Sequence, residues 1–321
     1  MPAPHYPIQF TAAGGGPTTC GRNNKTTRKK PRITPLNIAT WNVRTLLDRA
    51  DSDRPQRRTA LVANELARYS IDIAALSETR FAGEGELCER GAGYTFFWSG
   101  RGPDERREAG VGFAIKSSLV GKLVGPPKGV NDRLMIMRLP LSNGKKFATI
   151  VSACAPTMTN PDEVKDKFYQ DLNAVITTLP NADKLIVLGD FNARVGCDST
   201  TWEGVIGKHG VGSCNSNGLL LLQICAEHEL LITNTTFCLP TRNKTSWMHP
   251  RSKHWHLINY VIVRKRDRQD VRATKAMCGA ECWTDHVPPH RLQTQASRPA
   301  QETPPGSKTT KTPERQQAEG L

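Results

Sequence analysis

The chain has 321 residues, 37% of them hydrophobic, with 44 Lys and Arg against 30 Asp and Glu and a formal net charge of +14. That length and apolar content close a substantial core in one large or two small domains, and they exclude collagen, coiled coil and wholesale disorder. No run approaches the roughly 18 apolar residues of a membrane-spanning helix and no apolar secretory core opens the chain, so a soluble intracellular protein is expected, nuclear or cytoplasmic and not secreted.

Residues 1–34 carry six basic residues and no acid, include Gly14-Gly15-Gly16-Pro17, and are expected to be a disordered basic arm. Segments 36–41 and 71–76 read as strands, with Leu61, Val62, Leu66 and Tyr69 at helical spacing between them. Strands follow over 94–98, 111–115, 134–139 and 147–153, antiparallel because their connections are too short for crossover helices. Asn160-Pro161-Asp162-Glu163 predicts a helix start with asparagine as the cap, proline in the first turn and acids facing the dipole; the helix runs to about 179. The apolar run 184–188 ends at Gly189-Asp190-Phe191-Asn192. A second helix, about 218–229, presents Leu219, Leu222, Ile224 and Leu230 to a core, and strands fall over 231–234, 245–248, 257–263 and 271–277. Residues 287–321 hold six prolines and no aromatic residue and read as a disordered Pro-rich tail. Sheets interleaved with two long helices make an α+β sandwich with helices outside.

Polar residues stand at the ends of four apolar runs: Trp41-Asn42-Val43-Arg44, Ser77-Glu78-Thr79-Arg80, Gly189-Asp190-Phe191-Asn192 and Thr284-Asp285-His286. Each alone reads as a turn, because Asp and Asn form turns after strands. Together they supply carboxylates (Glu78, Asp190, Asp285), amides (Asn42, Asn192) and one imidazole (His286). Hard oxygen donors without sulfur suit Mg²⁺, or Mn²⁺, held by one or two carboxylates plus substrate phosphate. The set reads as a phosphate-ester hydrolase site with no organic cofactor. Nine cysteines without a CxxC pair read as reduced thiols. His249, His254 and His256 fit no zinc spacing and read as loop residues. The net charge suits a polyanionic partner, or serves solubility alone.

The order WN (41–42), SET (77–79), GDFN (189–192) and TDH (284–286) resembles the exonuclease-endonuclease-phosphatase superfamily over residues 36–286. More narrowly, TWNVRTL, LSETR, GDFNARVG, NSNGLLLLQICAEHELLITNT and WMHPRSKHWHLINYVIV are similar to the endonuclease domain of non-LTR retrotransposons. The resemblance implies a DNase-like four-layer α/β/β/α sandwich over 35–286 and a Mg²⁺-dependent endonuclease acting on DNA. Glu78 would bind the metal, with Asn42 beside it and Asp285 as a second carboxylate. Asp190 would orient or deprotonate the attacking water, Asn192 would hydrogen-bond the phosphate, and His286 would stabilise charge on its oxygen. Arg44 and Arg80 are expected to contact DNA backbone phosphates. The oligomeric state is left open.

Three positions depart from the family pattern. Asn259 stands where the family has an aspartate behind the histidine, which keeps the shape and removes the charge. Cys154 replaces a phosphate-contacting tyrosine with a weaker donor. The resemblance implies a further strand after the Asp-His pair, but Val287-Pro288-Pro289 opens the polar tail, so the sheet is expected to lack its final strand and leave an edge uncovered. These departures give the alternative expectation of a weak or inactive relic that binds nucleic acid or a protein partner.

Overall fold

The structure, a computed structural model, describes residues 8–12, 35–48, 56–141 and 146–279. Its first elements are β1 (Ile8–Ala12), β2 (Leu36–Asn42), α1 (Arg58–Arg68), β3 (Ile73–Ser77), β4 (Glu84–Glu89), β5 (Tyr94–Ser99) and β6 (Val111–Lys116). A single helical turn, α2 (Ser117–Val120), leads to β7 (Lys128–Gly129), β8 (Leu134–Leu141), β9 (Lys146–Cys154), α3 (Asp162–Thr178) and β10 (Lys184–Asp190). The chain continues through β11 (Val195–Gly196), β12 (Val211–Cys214), α4 (Ser216–Glu227), β13 (Leu230–Ile232), β14 (Trp247–Met248), β15 (Trp255–His256), β16 (Asn259–Arg264) and β17 (Val271–Ala276).

Seven strands form one sheet, in the order β17-β1-β2-β3-β6-β5-β4, and six form a second, in the order β13-β16-β10-β9-β8-β7. Alternation along each strand sorts side chains between the layers. On β2, Ile38 enters the core between the sheets, while Ala39 and Trp41 face outward to Val62, Ala63 and Leu66 of α1. Against the other sheet, α3 and α4 bury Phe168, Leu172, Leu221 and Leu222. Helix, sheet, sheet and helix make the expected four-layer α+β sandwich of DNase-like class.

Two crossovers place the site. The helix α1 links parallel neighbours β2 and β3, so Asn42 and Ser77 end side by side. Likewise α3 links parallel β9 and β10, bringing Cys154 beside Asp190. Each sheet therefore contributes the carboxyl ends of one parallel pair to a common rim.

Gly189 makes that rim possible, because a Cβ there would stand 1.7 Å from the Ala153 carbonyl oxygen and 2.6 Å from its carbon. Both obstacles are backbone of the neighbouring central strand, which cannot rotate away. Gly189→Ala is expected to destabilise the protein by about 3 kcal/mol or more, read as a fall in the urea midpoint.

Several expectations change. Residues 8–12 are a strand, not part of a disordered arm, and Ile8 is only 1% exposed. The five residues Ile-Gln-Phe-Thr-Ala carry a usable alternation that the surrounding Gly, Pro and Lys obscure. β1 lies antiparallel to both β2 and β17, between them, whereas the final strand expected to be lacking after residue 286 falls outside the described residues. The remainder of 1–34 and all of 287–321 lie outside the described residues. Asn160 does not cap α3; its Oδ1 accepts from the Thr157 amide at 2.8 Å and closes the preceding turn. The second helix starts at Ser216, capped by Asn215, whose Oδ1 accepts from the Gly218 amide at 2.8 Å.

Candidate active site

Three of the four sequence sets converge, although they lie far apart along the chain. Asn42, at the end of β2, donates from Nδ2 to Glu78 Oε1 at 2.6 Å and to Asp190 Oδ2 at 2.9 Å. One amide thus joins a carboxylate of its own sheet to one from the facing sheet. The Arg44 amide donates to Asn42 Oδ1 at 2.9 Å, fixing that side chain. Asp190 Oδ1 accepts the Asn192 amide at 3.0 Å, and Asn192 Nδ2 donates to the Ala155 carbonyl at 3.0 Å.

The backbone at these positions is strained. Arg44 (φ 60°), Glu78 (φ 58°), Arg80 (φ 59°) and Asn192 (φ 47°) all adopt the left-handed region, which costs side-chain-bearing residues energy and concentrates at functional sites. Sharp turns at three strand ends re-aim these side chains over the rim.

Asp190 is completely buried, and that burial raises its pKa to about 6 despite hydrogen bonds from Asn42 and the Asn192 amide; Glu78 raises it further. Two carboxylates sharing one amide form a negative site that a divalent cation would neutralise, and all the donors are hard oxygen or amide groups. Glu78, Asn42 and Asp190 therefore fit a divalent cation. Among the described residues no group of three or more His, Cys, Asp and Glu side chains forms a metal cluster. Asp285 and His286 lie outside the described residues.

Arg80 leans over the same rim, its Nη2 3.3 Å from Glu78 Oε2, with both side chains partly exposed. Cys154 does not stand on the surface: it is 4% exposed, in register with Asp190. Burial and Asp190 push its thiol up to about 12, with Arg133 opposing. Cys154 and the equally buried Cys225 should therefore resist alkylation at pH 8 while Cys88, Cys197 and Cys238 react, as mass spectrometry of iodoacetamide-treated native protein will read.

Asn259 opens β16 directly opposite Asp190 and is 1% exposed. Neither its Nδ2 nor its Oδ1 has a partner among the described residues. A buried amide with both ends unmet is costly.

Sequence reading missed the supports. Asn217 Nδ2 donates to the carbonyls of Pro156 and Asn192, at 3.0 and 3.1 Å. Ser246 Oγ accepts the amides of Ile258 and Asn259, both at 3.2 Å. Asn234 brackets the same strand, giving Nδ2 to the Asn259 carbonyl and taking the Val261 amide. The only advance signal was a clustering of Asn and Ser between apolar runs, which ordinary turns share.

Beside this strand, β14 and β15 pair as a hairpin in which Trp247 lies 5.8 Å from His256 and 5.5 Å from His249, centroid to centroid. Its tip exposes Arg251, Lys253 and His254. Burial, then Arg194 and the neighbouring histidines, lower the His256 pKa.

The Endonuclease/Exonuclease/phosphatase family matches residues 39–286. Craniofacial development protein 2 from Bos taurus and from Tragulus javanicus is 32% identical over 250 residues, 78% of this chain. The chain spans only 39–40% of the length of those relatives. Among solved structures, the Xenopus laevis APE2 catalytic domain superposes with a TM-score of 0.51 at 16% identity, covering 75% of this chain and 90% of that one. The AP endonuclease LMAP of Leishmania major gives 0.50 at 14% identity, covering 72% and 79%. At such identities these two show the fold alone. No described helix is long and apolar enough to cross a membrane. The extent of the family match and the identity to its relatives settle the assignment: the chain belongs to the Endonuclease/Exonuclease/phosphatase family.

Proposed function

We propose that the protein is a Mg²⁺-dependent phosphodiester hydrolase that nicks DNA, derived from a retroelement endonuclease. The observation that carries this reading is the Asn42 amide bridging Glu78 and Asp190 across two sheets. Glu78 and Asn42 would hold the metal, with Asp285 as a further carboxylate, and the ion would supply electrostatic stabilisation of the phosphate. Asp190, its affinity for a proton raised by burial, suits the orientation and deprotonation of an attacking water. Asn192 would donate to a phosphate oxygen. Arg44, Arg80 and the basic tip of the Trp-His hairpin suit the sugar-phosphate backbone, in keeping with a net charge of +14.

Supercoiled plasmid incubated with the purified protein tests the reading. Open-circle product is expected with Mg²⁺ and none with EDTA; intact plasmid under both conditions would reject it. A second reading, a weakened relic that retains nucleic-acid or protein binding, is favoured by the unmet Asn259 amide and the buried Cys154 thiol. It predicts plasmid retention on a gel with slow nicking.

A further inference from the structure

We infer that Arg194 holds a second phosphate of the DNA strand, the neighbour of the one cleaved, between the end of β10 and the β14–β15 hairpin; the inference rests on the hydrolase reading. Arg194 lies two residues beyond Asn192, the proposed donor to the scissile phosphate, and two residues of chain reach at most about 7 Å. Neighbouring phosphates follow one another along a strand on that scale.

The backbone of Arg194 is fixed from both sides. Its amide donates to Asn215 Oδ1 at 2.8 Å and its carbonyl accepts the Asn215 amide at 3.0 Å. Gly218 lets α4 come this close, because a Cβ there would stand 1.8 Å from the Arg194 carbonyl oxygen. Ala193 and Val195 on either side are buried, and Val195 gives its amide to the Tyr260 hydroxyl at 3.2 Å. Only the side chain of Arg194 is left to follow a ligand.

The charge on that side chain is the second observation. Arg194 is half-buried, and among the described residues no carboxylate pairs with it. Other half-buried cations have such partners: Arg101 with Asp132, Arg138 with Asp183 and Lys184 with Asp267. A cation drawn partly out of water without an anion carries a desolvation cost that an incoming anion offsets. After burial, Arg194 does most to lower the His256 pKa, and at Cys214 it opposes the rise that burial causes. The guanidinium therefore stands within electrostatic reach of both β15 and β12. Residues 247–256 of the hairpin include no acid, so nothing on that side repels a phosphate. Arginine suits the task, because its planar fork grips two phosphate oxygens where lysine offers a point charge.

Full-length wild type, Arg194→Ala and Arg194→Lys are titrated into a fluorescent DNA duplex in EDTA over a range of KCl concentrations. Arg194→Ala is expected to bind about tenfold more weakly and to lower the slope of log affinity against log salt by about one. Arg194→Lys should keep the slope and recover only part of the affinity. Arg194→Ala should also melt no lower than wild type, because no native ion pair is lost. On a duplex nicked at one mapped bond, a single methylphosphonate beside that bond, which removes one charge, should slow wild type and leave Arg194→Ala unaffected. Equal affinity and salt slope in wild type and Arg194→Ala would overturn the inference, as would equal slowing of the two by the methylphosphonate. A wild type that binds with the expected salt slope and never nicks refutes the hydrolase reading alone, and one that binds no duplex overturns both.

Discussion

Asp190→Asn is expected to abolish Mg²⁺-dependent nicking, a loss of about 10³-fold or more by analogy with other removals of a central transition-state group, while the metal-free protein becomes more stable at neutral pH. The two effects share one cause. Burial raises the Asp190 pKa from 3.8 to about 6. A carboxyl whose folded pKa lies above its unfolded value contributes stability that is complete below the unfolded pKa and is lost as the pH rises through the folded one. Without metal, wild type should therefore lose stability between about pH 4 and pH 6, and the asparagine variant should lose less over the same interval. Melting curves in EDTA at pH 4 to 8 check this. A variant less stable than wild type at pH 7.5, or a wild-type profile that does not fall over that interval, would contradict it.

Asn259→Asp should do the reverse. A carboxylate behind the imidazole that the family resemblance assigns to His286 would orient it and stabilise its protonated form; in a serine-protease triad the loss of that charge costs about 10⁴ in turnover. Restoring the charge here is expected to raise the single-turnover nicking rate by about 10- to 100-fold. The same change sets a second buried carboxylate opposite Asp190, so metal-free stability should fall and Mg²⁺ should recover part of it. Equal rates in the two proteins would show that Asn259 does not face a catalytic cation.

The layers were legible because their signals are long and periodic. The apolar stripe around Leu61, Val62 and Leu66 marked α1, and apolar runs marked β3, β6 and β10. Asn42, Glu78 and Asp190 were legible for a related reason: a polar residue that ends a buried strand must emerge at a rim. β4 escaped notice because it exposes every other residue, and its Glu-Gly-Glu-Leu-Cys-Glu carries almost no apolar contrast. β1 escaped because its worth depends on two distant partners, Leu36–Thr40 and Val271–Ala276, and no local window contains them. The left-handed turns at Arg44, Glu78, Arg80 and Asn192 had no signal at all, since none is glycine and only Asn192 is a residue that favours the conformation.

The arrangement makes the rim a place where energy is stored: four left-handed residues, a buried carboxylate whose ionisation opposes folding, and an amide with unmet ends. A rim held by the crossovers through α1 and α3 sustains that strain because the sheets beneath it are fixed by their own packing. Binding of a cation would offset the cost of ionising the buried carboxylate, which couples occupancy to stability.

Calorimetric titration of Mg²⁺ into wild type and Glu78→Gln tests most directly whether these side chains gather around one ion. The account predicts a single binding event in wild type, weakened about tenfold or more by the substitution. Identical titrations of the two proteins, or no heat of binding in wild type, would contradict it.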